Sequence, residues 1–355
     1  MDNYKKFIFN FSSSYSGGGL KRLNAFSYWF NNNGGARFIV NDRLKSNMEH
    51  FKNNIYHYVN LNRIQKTLNL QKYVETIIDE IDGCLFYYSY NIPMKQFKTK
   101  LSWFHLSNVL PLMPLKNFYI PIPRQIELYW LGFLIKRGLN NCNFISAESK
   151  NSMKLISFFS QNISYLSANG SDDELKMISK FKSSNKFDNI AVLFGTYYHK
   201  NLVDSFKIFK YLQSQNKEMH LHIFGDTTTI PIEIKADPKV IIEGMQERSS
   251  IINLLRRASF YINTSLVENS WNAAAEGIFL AKESFISDIP AHRELISGFN
   301  YENLNIMDTV VPILRLKNEK LKTNHLTTWD DEIRKIVKIV KKNLASNYII
   351  SNIES

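Results

Sequence analysis

The chain has 355 residues, 44% hydrophobic and 14% aromatic, with 44 Lys and Arg against 32 Asp and Glu for a formal net charge of +12. That length exceeds one ordinary core and predicts two domains, and the apolar content excludes a disordered or fibrous chain. Two cysteines, Cys84 and Cys142, exclude a disulfide scaffold, and no apolar run approaches the roughly 20 residues of a membrane-spanning helix.

Strands are expected at 4–10, 36–40, 55–59, 84–88 and 101–106, with helices at 20–30, 42–53 and 64–81 between them. Such alternation predicts βαβ crossovers and a parallel sheet. Gly17, Gly18 and Gly19 fall between the first strand and its helix, where backbone N–H groups can approach a phosphate or sugar closely. They do not form the GxGxxG fingerprint, and no acidic ribose partner stands out about 20 residues on. His105 lies at the carboxyl end of a strand, where open α/β sheets place their ligands, with Asn108 just beyond. A helix follows at 124–137, RQIELYWLGFLIKR, in which Tyr129, Trp130 and Phe133 read as core at helical spacing. A strand at 142–146 and a helix at 147–158 complete an N-terminal domain over 1–170. Asn169-Gly170-Ser171-Asp172-Asp173 opens a polar linker over 171–187.

A second alternating series fills 188–328, with strands at 189–194, 219–224, 240–243, 260–264 and 284–287. Its helices are expected at 201–215, 249–258, from near Ser270, and at 291–296. An amphipathic, Lys-rich helix at 329–344 closes the chain, and 345–355 reads as loose. The fold class is therefore α/β, with two Rossmann-like doubly wound domains.

The most informative stretch is FYINTSLVENSWNAAAE at 260–276. Glu268 sits in the loop before a helix and Glu276 between one and two turns inside it. Ser270 is the N-cap candidate, and the free N–H groups and helix dipole at Ser270, Trp271 and Asn272 favour an anion such as a diphosphate. Glu276 is placed to accept hydrogen bonds from the vicinal hydroxyls of a ribose, and Glu268 from those of a sugar ring. A nucleotide diphosphate-sugar satisfies both.

Two glutamates at this spacing, followed by a small-residue helix, a strand and Pro-Ala-His-Arg-Glu-Leu, resemble the donor site of GT-B glycosyltransferases, most closely family 4 of the bacterial surface-polysaccharide and O-antigen type. The resemblance implies that Glu268 contacts the donor hexose and Glu276 the ribose. It also implies that the domains face each other across a cleft, that Gly17–Gly19 face the donor, and that the last helix crosses back to the first domain. The segment AVLFGTYYHKNLVDSFKIF resembles the opening of the family's donor domain and makes Lys200 the diphosphate-binding lysine. Thr196 stands where the family commonly has Arg, and Asn269-Ser270-Trp271-Asn272 where it has a glycine-rich turn. WFHLSNVLPL resembles the segment whose His contacts the reacting sugar, so His105 and Asn108 are expected to position donor hexose and acceptor; His199 is the competitor.

The resemblance thus implies a retaining hexosyltransferase, with nucleotide-sugar donor, a glycan or lipid-linked acceptor, and no cofactor. Asp172-Asp173 and Asp330-Asp331 lack a ligand cluster, so no metal is expected. A nucleotide-sugar epimerase of the same fold, and a catalytically degenerate binding protein, are the alternatives. Residues 1–180 carry 22 basic and 12 acidic side chains, net +10, whereas 181–355 carry 22 and 20, net +2. The basic half suits an anionic membrane surface, while scattered charges without a recognition motif argue against nucleic acid. With no leader-like start, the expected location is the cytoplasm, peripheral at the inner face of the membrane.

Overall fold

The structure, a computed structural model, describes residues 4–60, 70–81, 83–118, 120–170, 187–306, 308–317 and 327–353. The linker at 171–186, with Asp172-Asp173, and the first part of the helix expected at 64–81 lie outside them. The chain forms two compact units. One comprises Met1–Met113, Ile126–Gly170 and Thr327–Ser355, the other Pro114–Gln125 and Ser171–Leu326.

The first unit is built on seven parallel strands: β1 (Phe7–Asn10), β2 (Arg37–Asn41), β3 (Ile55–Val59), β4 (Cys84–Tyr90), β5 (Thr99–Leu106), β6 (Phe144–Ala147) and β7 (Ile163–Leu166). Their order is β3-β2-β1-β4-β5-β6-β7, so the winding reverses between β1 and β4. All four residues of β1 are buried. Because successive side chains point to opposite faces, both faces of the central strand are covered, as parallel sheets require. Phe9 meets the rings of Phe26, Phe30, Phe38, Phe86 and Tyr88 at centroid distances of 4.6–5.9 Å, an aromatic core holding the helix Gly17–Asn32 against the sheet.

The helix expected at 42–53 shrinks to a 3-10 turn, Asp42–Leu44, and one α turn, Lys45–Met48. Asparagine side chains take over beyond it. Asn53 Nδ2 donates to the Asn31 carbonyl at 2.8 Å and Asn54 Nδ2 to that of Ser27 at 2.7 Å, tying this segment to the last turns of the helix Gly17–Asn32. β7 was not expected from the sequence. Trp329–Ile353 is helical past 344, where loose chain was expected. Its Ile333, Ile336, Val337 and Val340 share the core of Phe9 and Phe26. Trp29 Nε1 donates to Asp330 Oδ1 at 2.9 Å.

The second unit holds β8 (Asp188–Phe194), β9 (His220–Phe224), β10 (Val240–Gly244), β11 (Ala258–Asn263), β12 (Glu283–Ser287), β13 (Glu302–Leu304) and β14 (Ile313–Lys317), in the order β10-β9-β8-β11-β12-β14-β13. The first five are parallel, and β14 runs antiparallel to both β12 and β13. The sequence reading lacked this edge pair. The winding here reverses between β8 and β11, which leaves a crevice outside their carboxyl ends for a ligand.

Candidate active site

Both loops that leave β8 and β11 carry residues singled out from the sequence. Gly195 ends β8 with φ +79°, a left-handed turn that a side chain would strain, and its N–H donates to the Phe224 carbonyl at 2.8 Å. The chain then makes a 3-10 turn, Tyr198–Lys200, and Asn201 in the left-handed region starts the helix Leu202–Gln215. The two loops are stitched together. Leu266 N donates to the His199 carbonyl at 2.8 Å, and Thr264 Oγ1 to the Asn201 carbonyl at 2.7 Å.

This stitching brings Lys200 to Glu268. Lys200 Nζ bonds Glu268 Oε1, which also accepts from Ser265 Oγ at 2.7 Å. The pair is largely buried. Burial acts to raise the Glu268 pKa, but the charges of Lys200, then His199 and His292, hold it below the ordinary value. Burial first, and Lys200 second, push His199 down to about 4, so it stands neutral near pH 7. His292 is also lowered by burial; its Nδ1 donates to the Ser287 carbonyl at 2.8 Å.

Glu276 is held separately. It lies on the helix Asn272–Leu280, whose Gly277 is so close to Tyr261 of β11 that a Cβ would overlap the ring. Glu276 Oε1 accepts from Arg248 Nη1 at 2.6 Å, and Arg248 is the first residue of the helix Arg248–Arg257 that follows β10. Each of the two carboxylates thus faces a cation delivered by a different strand-to-helix loop. The N-cap expectation fails at Ser270. The helix begins at Asn272 with Trp271 in the cap position and no capping side chain, because Asn269 and Trp271 are buried and packing sets the turn. Ser270 and Asn272 are half-buried at that helix start.

In the first unit, Gly17, Gly18 and Gly19 form the first turn of their helix, with φ +59° at Gly17. A Cβ on Gly19 would press on Ser14 and the Tyr90 ring, each within 3.2 Å. His105 was expected to touch the donor hexose, yet its ring has no exposed surface. It stacks on Tyr90 with centroids 5.3 Å apart, meets Ser146 Oγ through Nδ1 at 2.7 Å, and has Nε2 3.5 Å from Glu148 Oε1. Trp103 Nε1 donates to the same Ser146 oxygen at 2.7 Å, and because the Glu148 carboxylate can only accept, the neutral ring best carries its hydrogen on Nε2 and accepts from the Ser146 hydroxyl at Nδ1. Burial, then the Arg22 charge, pushes His105 well below its usual pKa, which keeps it neutral. Asn108 turns its side chain to its own backbone, accepting from Leu110 N at 3.1 Å.

No family model matches the chain, and no curated protein matches it in sequence. Solved structures do match. A glycosyltransferase from Rickettsia africae aligns over 97% of this chain and 99% of its own with a TM-score of 0.62 at 14% identity. WaaG, a glycosyltransferase involved in lipopolysaccharide biosynthesis, aligns over 82% and 83% with a TM-score of 0.57 at 10% identity. Anabaena HepE, solved with UDP and glucose, aligns over 78% of each chain with a TM-score of 0.51 at 15% identity. This chain has the GT-B fold.

Within that GT-B framework, sequence reasoning missed two groups. Arg248 was not singled out, since it stands just before the helix expected at 249–258; its place after β10, an expected strand, was the one signal pointing to the ligand edge. The second is Arg22, which is fully buried. It lies 3.8 Å from Glu148 Oε1 and donates to the Asn169 side chain at 3.3 Å and the Ser167 carbonyl at 3.4 Å. It ties the glycine-turn helix to the ends of β6 and β7. Nothing in the spacing of Arg22 and Glu148 announces that pair.

Proposed function

We infer that the protein is a glycosyltransferase using a nucleotide diphosphate-sugar, of family 4 character and with retention of configuration. The observation that supports this most is the pairing of Lys200 with Glu268 and Arg248 with Glu276 around the carboxyl ends of the second sheet. With the donor bound, Lys200 would turn from Glu268 to the diphosphate and stabilise the negative charge that develops as the glycosidic bond breaks. Glu268, released, accepts from a hexose hydroxyl. Glu276, oriented by Arg248, accepts from the ribose diol, and the N–H groups at the start of Asn272–Leu280 face the phosphates.

The sugar–oxygen bond to the diphosphate breaks, the acceptor oxygen bonds the anomeric carbon on the same face, and the acceptor proton passes to the departing phosphate oxygen. Positioning and charge stabilisation then carry the catalysis, with no resident cofactor or metal invoked. The first unit is assigned the acceptor, a glycan or lipid-linked sugar of a surface polysaccharide. His105 acts there as a positioning residue, holding Tyr90 beneath the Gly17–Gly19 turn.

A thermal-shift screen with UDP-, GDP-, dTDP- and CMP-sugars tests the donor reading, since a ligand of the native state raises its melting temperature. One nucleotide class should raise it, and Glu276→Ala should abolish the shift. No shift with any of the four would end the proposal.

A further inference from the structure

The helix Ile122–Gly138 is apolar on two sides, and only one of them is covered. Leu128 and Ile135 are buried, and Gly132 sits so close to Pro111 that a Cβ there would collide with its carbonyl. Gly138 packs as tightly against the Met94 backbone. These contacts set the rotation of the helix and turn the opposite side outward. Tyr129, Trp130 and Phe133, expected in the core, therefore lie on the surface: they are 51%, 56% and 52% exposed, and Ile126 is 64% exposed. They recur at i, i+3, i+4 and i+7, one continuous stripe. Trp130 and Phe133 stack with centroids 5.6 Å apart. In the last turn of the helix, the Lys136 ammonium lies 4.4 Å from the Phe159 ring, next to Phe158, which is 72% exposed.

Single exposed apolar side chains are ordinary, but a contiguous aromatic stripe marks a binding surface. Its charged surroundings identify the occupant. The helix carries Arg124, Lys136 and Arg137 against Glu127. Trp and Tyr interleaved with Lys and Arg is the composition of helices that lie at a membrane–water interface. Among the described residues no helix is long and apolar enough to cross a membrane. A second copy of the chain would set like-charged rims against each other, whereas an anionic headgroup layer complements them.

We propose that this face docks on an anionic bilayer surface, with Ile126, Tyr129, Trp130 and Phe133 entering the interface and Lys136 and Arg137 meeting the headgroups. The surface is independent of the donor site. Co-sedimentation of the full chain with vesicles of phosphatidylcholine containing 30% phosphatidylglycerol, about 30% being a test composition in the range where surface charge attracts basic segments, reads it directly. Wild type should bind these vesicles and bind pure phosphatidylcholine vesicles at least about tenfold more weakly. The double variant Trp130→Ser/Phe133→Ser and the charge variant Lys136→Glu/Arg137→Glu should each lose about tenfold or more, with unchanged circular dichroism and melting temperature. Failure of wild type to bind at low salt, or equal binding by both variants, overturns the proposal. So does a concentration-dependent dimer that the Trp130→Ser/Phe133→Ser variant abolishes, because the face would then be a self-contact. Vesicle binding without any nucleotide-sugar thermal shift would leave this docking standing while removing the donor assignment.

Discussion

Replacing Lys200 with Met removes the ammonium and keeps most of the stem. Glu268 then stays buried with one hydrogen bond, from Ser265 Oγ at 2.7 Å. Breaking a buried ion pair by removing one partner costs about 3–5 kcal/mol, and the residual exposure of this pair with the Ser265 bond places the loss near the lower end, about 3 kcal/mol. The pH dependence supplies a second signature. In the wild type Glu268 titrates below its ordinary value because cations, Lys200 foremost, outweigh burial. Its contribution is therefore present above the unfolded pKa and is lost as pH falls through the folded one. In Lys200→Met burial prevails, the folded pKa rises, and the variant gains relative stability as pH falls. The gap to wild type should be widest near pH 7 and narrow towards pH 4. Hydrogen exchange of the β11 amides of Tyr261 and Ile262 isolates opening of the second unit. Glu268→Gln in the Lys200→Met background should recover most of the loss, since an amide carries no charge. A gap under about 1 kcal/mol at pH 7, or one that does not change with pH, would refute the buried-pair reasoning. Sugar transfer by Lys200→Met should fall by about 10²–10³, the range for removing one charge-stabilising group.

Two further outcomes follow from the same geometry. Gly277→Ala forces a methyl into the Tyr261 ring, and overpacking of this kind costs about 1–3 kcal/mol; the variant should melt lower and lose nucleotide binding with Glu276 displaced, and wild-type behaviour would show that the helix has room. Cys84 and Cys142 are buried, unpaired thiols whose pKa burial pushes up to about 12, so Ellman's reagent at pH 8 should reach neither until denaturant is added; rapid reaction of the native protein would contradict their burial.

The elements that local pattern encodes were legible. Gly17–Gly19 between the first strand and its helix, Gly195 directly after β8, and apolar runs alternating with helical periods announced two Rossmann-like halves, and Glu268 and Glu276 were visible because their context is a single strand–loop–helix segment. Lys200 was singled out by the resemblance of its segment, five residues past the glycine that follows β8. What it touches was not legible. Its pairing with Glu268, like that of Arg248 with Glu276, depends on β8, β10 and β11 lying in one sheet in a particular order, and no local periodicity carries strand order. The antiparallel pair β13 and β14 was missed because β13 has only three residues, too few to show alternation.

Burial was the other decision left to the tertiary structure. His105 was placed correctly at a strand's carboxyl end, but only the neighbouring strands enclose it between Tyr90, Ser146 and Glu148. The 122–138 segment shows why. Its residues are apolar around most of the helix, so sequence establishes that it is a helix and says nothing of which side meets protein. Gly132 and Gly138, by admitting the backbones of Pro111 and Met94, decide that. Local chemistry determined what each segment of this protein is; contact between segments distant in the chain determined which side chains face one another and which face outward.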